Sequence, residues 1–219
     1  VSYSNTMALE RCFNWTGVLI EANPTNFIKL QQSGRTAAMV HAAVCKGIPS
    51  ITMTVQGGPA SGDVNALSKK QRRRFNVSQT VEVPCRTLTD IMASSGHANA
   101  NFLSLDVEGS EDKVLDASNP AAFATVLVEV EGKTPEVNQR VDSLLTQAGL
   151  RWVPSIGVQN SRVYMAPQSA VVGEQHPQAN VWECFRDHTQ AEWAEEAMLL
   201  PSLLHATNGL PGSFVEVMG

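Results

Sequence analysis

Gly17-Val18-Leu19-Ile20-Glu21-Ala22-Asn23-Pro24 is the stretch that decides the fold. The apolar run reads as a strand with an acid at its carboxyl end. Asn23-Pro24 then opens a helix, because Asn accepts hydrogen bonds from the first turn and Pro suits the first helical position. Phe27, Ile28 and Leu30 give that helix an apolar side, and Gly34 terminates it. Ala37 to Val44 reads as the next strand. Strand, helix and strand within about 30 residues make a βαβ unit, which implies parallel strands and a right-handed crossover.

The pattern continues outward from this unit. Ser50 to Gln56 alternates apolar and polar residues, as a half-buried antiparallel strand does, and the glycines from Gly57 to Gly62 break it into a loop. Lys69-Lys70-Gln71-Arg72-Arg73-Arg74 is a basic run without interleaved aromatics, which favours a solvated loop over an anion-binding patch. Thr80 to Pro84 is a short strand, and Thr87 with Asp90 caps a helix that ends near Gly96. Phe102 to Val107 is a strand that turns at Glu108-Gly109 into a helix capped by Ser110. Thr125 to Glu131 is a Val-rich strand. Val137, Val141, Leu144, Leu145 and Ala148 form one face of an amphipathic helix, and residues 151–166 read as two strands joined around Gln159-Asn160-Ser161. The expectation is one α/β domain over residues 1–166, followed by a loop-and-helix appendage over residues 167–219.

Composition narrows the function. The chain has 219 residues, 43% of them hydrophobic, and a net charge of −5. A mildly acidic balance argues against nucleic acid as partner, and no apolar run approaches the roughly 20 residues of a membrane span. Cys12, Cys45, Cys85 and Cys184 stand far apart, which suggests free thiols and weakly favours the cytoplasm. His41 falls inside an apolar strand and reads as a core residue, and His97 reads as loop surface. No histidine spacing suggests a metal site, so no metal is expected. Nucleophile-elbow and phosphate-loop motifs are also missing.

In a parallel α/β sheet, ligands gather outside the carboxyl ends of the strands, and Glu21, Asp106 and Glu129 stand at such ends. The two oxygens of Glu21 suit the vicinal hydroxyls of a ribose. The competing reading is an ordinary solvated acid. Asp106-Val107-Glu108-Gly109 reads as an acid pair on one side of a strand beside a glycine, facing a cationic centre. Its competing reading is a strand terminus whose acids cap the next helix.

Four blocks, in this order, carry a family resemblance. They are Ser4-Asn5-Thr6 with Leu9-Glu10, Trp15 to Pro24, Val83-Pro84-Cys85 with Thr87-Leu88, and Leu105 to Glu111. The chain resembles the FkbM-type S-adenosylmethionine-dependent methyltransferases over about residues 1–166. The resemblance implies a class I methyltransferase fold, a Rossmann-like and mostly parallel sheet, with S-adenosylmethionine as cofactor. It implies cofactor contacts from Ser4, Asn5, Thr6, Glu21 and Asp106, with Asp106 and Glu108 as catalytic candidates. Glu111 is a further motif position, and the loop from Gly57 to Asn65 is expected near the adenine. The implied partner is a small-molecule or sugar methyl acceptor, methylated on oxygen, and the oligomeric state is open.

In that family a first strand and an Asp-x-Gly-Ala-x-x-Gly loop precede the position of Ser4. The chain begins at Val1, so the expectation is a truncated or lost strand and a sheet weakened at its centre. That departure motivates a rival reading, a non-catalytic interaction domain retaining the fold. A nicotinamide-dependent dehydrogenase also places an acid after its second strand, but it leaves the Asp106 block unexplained.

Overall fold

The computed structural model describes residues 4–55, 63–64, 79–130, 134–156, 160–167, 200, 203, 207 and 210–218. In chain order the described elements begin with α1 (Met7–Phe13), β1 (Thr16–Glu21), α2 (Pro24–Gln31), β2 (Ala38–His41) and β3 (Ala43–Val44). Next come β4 (Ser50–Thr54), β5 (Thr80–Arg86), α3 (Leu88–Ser94), β6 (Ala100–Asp106) and α4 (Glu111–Asp116). The last are β7 (Phe123–Glu129), α5 (Pro135–Gln147), β8 (Arg151–Trp152), β9 (Ser161–Met165) and β10 (Ser213–Met218). The local signals work largely as the sequence suggests. Asn23 accepts from the amides of Thr25 and Asn26 to start α2, and the Thr87 side chain accepts from the Asp90 amide to start α3.

A seven-stranded sheet in the order β2-β1-β10-β6-β7-β9-β8 forms the centre, and β3-β5-β4 form a small second sheet. The pairs from β2 through β7 are parallel, and β9 runs antiparallel to both β7 and β8. This is the mixed α/β, mostly parallel architecture that the βαβ reading requires. Helices cover both faces. Leu88 and Ile91 of α3, Leu115 of α4 and Leu145 of α5 pack on one, while Ala8 and Leu9 of α1 and Leu30 of α2 pack on the other.

Three sequence expectations change. The run from Ala37 to Val44 is two strands, not one: β2 lies at the edge of the large sheet, and β3 pairs with β5 in the small one. His41 is exposed rather than part of the core, and its ring stacks on Phe27 with centroids 4.9 Å apart. Most of residues 167–219 lie outside the described residues, but Ser213–Met218 are no appendage. They form β10 at the middle of the large sheet.

That placement also answers the expectation of a missing strand. The slot between β1 and β6 is filled by β10, which is parallel to both. Close packing fixes it there. Gly17 of β1 is registered opposite Phe214, and a Cβ at Gly17 would lie 2.4 Å from the Phe214 ring and 2.5 Å from its carbonyl. Gly212 makes the corresponding room for the Trp15 ring, 2.8 Å from where its Cβ would stand.

The cysteines are corrected as well. Cys45, after β3, forms a disulfide with Cys85 of β5, and Cys12 is also disulfide-bonded. The expectation of free thiols fails, and with it the argument for a reducing compartment. The Cys45–Cys85 link spans 40 residues of sequence. Closing a loop of that length stabilises the fold by about 4 kcal/mol in the chain-entropy account.

Candidate functional site

The carboxyl ends of the central strands share one row. Glu21 is in register with Met218 of β10, and Met218 with Asp106 of β6. Two strand spacings separate Glu21 from Asp106, about 10 Å between backbones. Side chains two apart on a strand share a face, so Glu21 follows Leu19, and Asp106 follows Phe102 and Ser104. Leu19 and Phe102 pack with α1, which puts both acids on that face.

Glu21 is only 4% exposed. Its Oε1 accepts from the Asn23 amide at 2.7 Å. Burial pushes its carboxyl up to about 7, opposed in part by the Asn23 and Ala22 amides and the Asn26 side chain. Asn23 ties this corner to the small sheet by donating Nδ2–H to the Thr54 carbonyl at 2.8 Å. Thr25 donates its hydroxyl to the Val55 carbonyl at 2.9 Å. The acid therefore sits in a rigid, partly desolvated turn.

Asp106 ends β6, and the chain then bends rather than continuing as a strand. Glu108 takes φ 56° and Gly109 takes φ 106°. The sequence reading of Asp106 and Glu108 as alternate residues of one strand is therefore corrected, although the two carboxylates do converge. Glu111 holds the bend: it is fully buried, and its Oε1 accepts from the Val107 amide at 3.2 Å and the Gly109 amide at 3.1 Å. Ser110 precedes α4 but makes no side-chain capping bond, and Glu111 holds the turn before the helix rather than capping its first turn.

Carboxylate oxygens of Asp106, Glu108 and Glu129 lie within 4.8 Å of one another. Glu129 arrives from the end of β7, which packs parallel to β6. The result is a concentrated negative field at the carboxyl edge. In donor chemistry it suits a cationic group or a hard cation. Histidine spacing carried no trace of this cluster, because its acids come from two strands and a turn.

Ser4, Asn5 and Thr6 stand on the same face, over β10 and β6. Ser4 Oγ–H and Thr6 Oγ1–H donate to Glu216 at 2.8 and 2.7 Å, and the Asn5 amide donates to it at 2.6 Å. Asn5 Nδ2–H reaches Ser104 Oγ on β6 at 3.0 Å. Arg35 adds hydrogen bonds to Ser4 and Thr6 and an ion pair with Glu10 at 2.6 Å. Burial alone would raise the Glu10 carboxyl, but the Thr36 amide and the Arg35 guanidinium outweigh it and hold the group below its ordinary range. Sequence reasoning missed Glu216 and Arg35. The signal for Glu216 was present in the alternation of Phe214-Val215-Glu216-Val217, a strand pattern with an acid inside it.

All five residues expected at a cofactor site thus fall on one face at one end of the sheet. The chain matches the methyltransferase FkbM domain over residues 2–151. It belongs to the FkbM methyltransferase family. This FkbM protein is therefore a methyltransferase with a methyl-acceptor substrate, and the family generally uses S-adenosylmethionine. The matched region contains Glu21 and the Asp106 bend but ends before β9 and β10. No curated protein and no solved structure matched the chain. Among the described residues, no helix is long and apolar enough to cross a membrane.

Proposed function

We propose that this chain binds S-adenosylmethionine across the carboxyl ends of β1, β10 and β6, and methylates an oxygen of a small molecule or sugar. The observation that carries the reading is the shared row and face of Glu21 and Asp106. The donor set fits the cofactor's chemistry. A ribose diol calls for two acceptor oxygens on one rigid group, and Glu21 supplies them from a buried turn. An amine calls for an anion, and Asp106 lies within the carboxylate cluster. The Ser4–Thr6 segment, held on Glu216, lies on the same face of the sheet.

When bound, the cofactor supplies a methyl group activated by a sulfonium centre, so the protein's task is chiefly alignment. Glu21 fixes the sugar, and Asp106 with Ser4–Thr6 fixes the amino-acid end. An oxygen acceptor must also lose its proton. Glu108 is the group we assign to accept it, because its carboxylate lies within 4.8 Å of that of Asp106 at the end of β6.

Isothermal calorimetry on the full chain with S-adenosylhomocysteine tests the reading. Above pH 7, where Glu21 is ionised, Glu21→Ala is expected to weaken binding by about tenfold or more, the effect of losing hydrogen bonds to a charged group. Unchanged affinity in that variant, or no binding by the parent chain, would overturn it.

A further inference from the structure

The strand that completes the sheet carries its own clasp. Glu216 is 2% exposed and lies on the face that α1 covers. It gathers three donors from three successive residues, Ser4, Asn5 and Thr6. Arg35 closes the cluster from the other side, with Nη1 3.8 Å from Glu216 and hydrogen bonds of 2.7 and 2.8 Å to the same Ser4 and Thr6 hydroxyls. Thr6 stands at the N-cap of α1 but makes no capping bond of its own. The entry to α1 is thus held from outside the helix, by a carboxylate on a strand more than 200 residues later in sequence.

We infer that Glu216 is a positioning residue for methyl transfer. It holds Ser4-Asn5-Thr6 against β10 and β6, so that this segment can receive the amino-acid end of the cofactor. The inference rests on the methyltransferase reading above and extends the working site beyond residues 2–151, which carry the family match. Glu216 itself faces inward, fully engaged by the segment it holds. Its effect on binding therefore passes through Ser4, Asn5 and Thr6. Glu21 lies one strand away in the other direction and fixes a different part of the ligand.

Two probes separate these roles in the full chain: S-adenosylhomocysteine, and 5′-methylthioadenosine, which lacks the amino-acid end. Glu216→Gln keeps the shape of the side chain and removes its charge. It is expected to weaken S-adenosylhomocysteine by about tenfold and leave 5′-methylthioadenosine within about twofold, whereas Glu21→Ala weakens both. Hydrogen exchange at the Asn5 amide is expected to quicken in Glu216→Gln. Equal loss of both ligands would indicate a purely structural role and overturn the inference, as would no loss of either. If the parent chain binds neither probe, the methyltransferase reading fails, and unchanged exchange at Asn5 would then overturn the clasp separately. Where Glu216→Gln does not fold, Glu216→Asp, which keeps the charge and shortens its reach to Ser4 and Thr6, carries the same expectation.

Discussion

At the scale of single residues, the environment of Glu21 has a consequence that pH can read. Its carboxyl keeps a proton up to about pH 7 in the folded chain, against an ordinary value of 4.5. Between those two values the folded state binds more protons than the unfolded state, so this residue makes stability fall as pH rises. The contribution is absent below about pH 4.5 and complete above about pH 7, where it amounts to about 3 kcal/mol. Glu21→Gln removes the titration. Urea unfolding from pH 4 to 8 is expected to show the parent chain losing stability relative to that variant across this window. A constant difference between the two would show that Glu21 titrates normally. The same acid was legible in the sequence because a short apolar run ending in Glu-Ala-Asn-Pro defines both the strand and the turn. The geometry of Glu108 was not legible. Nothing in Asp-Val-Glu-Gly announces that the strand stops at Asp106 and that the backbone becomes left-handed two residues later.

At the scale of elements, the decisive contact joins β1 to β10. Gly17 is flat against Phe214, and any Cβ there meets both the ring and the backbone. Gly17→Ala is expected to push β10 away from β1 and cost about 1–3 kcal/mol, as overpacking does. A denaturant midpoint unchanged from the parent's would mean that β10 is not seated as described. Elements set by local chemistry were readable: α2 from its Asn-Pro start, α3 from Thr87 and Asp90, and α5 from the buried stripe of Val141 and Leu145. The division between β2 and β3 was not, because both are short and apolar. The change of sheet at Ala42 depends on β5, which lies some 40 residues further on. For the same reason the cysteine pairing was hidden. The sequence separates Cys45 from Cys85, and only the small sheet brings them together.

At the scale of the whole molecule, the chain order differs from the order in space. β10, an interior strand of the large sheet, is the last described element of the chain, while the strands on either side of it come from the first half. The family blocks place that strand before Ser4, whereas in the structure β10 lies between β1 and β6. The physical requirement, a parallel strand between β1 and β6, was sound. What the sequence could not show is which segment met it. The arrangement makes the site depend on long-range contacts. Ser4–Thr6 are held by Glu216, and the Glu21 turn is held by the small sheet that Cys45–Cys85 staples. The central claim is that one crevice at the carboxyl ends of β1, β10 and β6 receives the cofactor. A crystal structure of the full chain grown with S-adenosylhomocysteine tests it most directly. The account predicts the ribose hydroxyls on Glu21 and the amino-acid end between Asp106 and Ser4–Thr6. Density for the nucleoside elsewhere on the molecule, with that crevice closed by protein side chains, would contradict it.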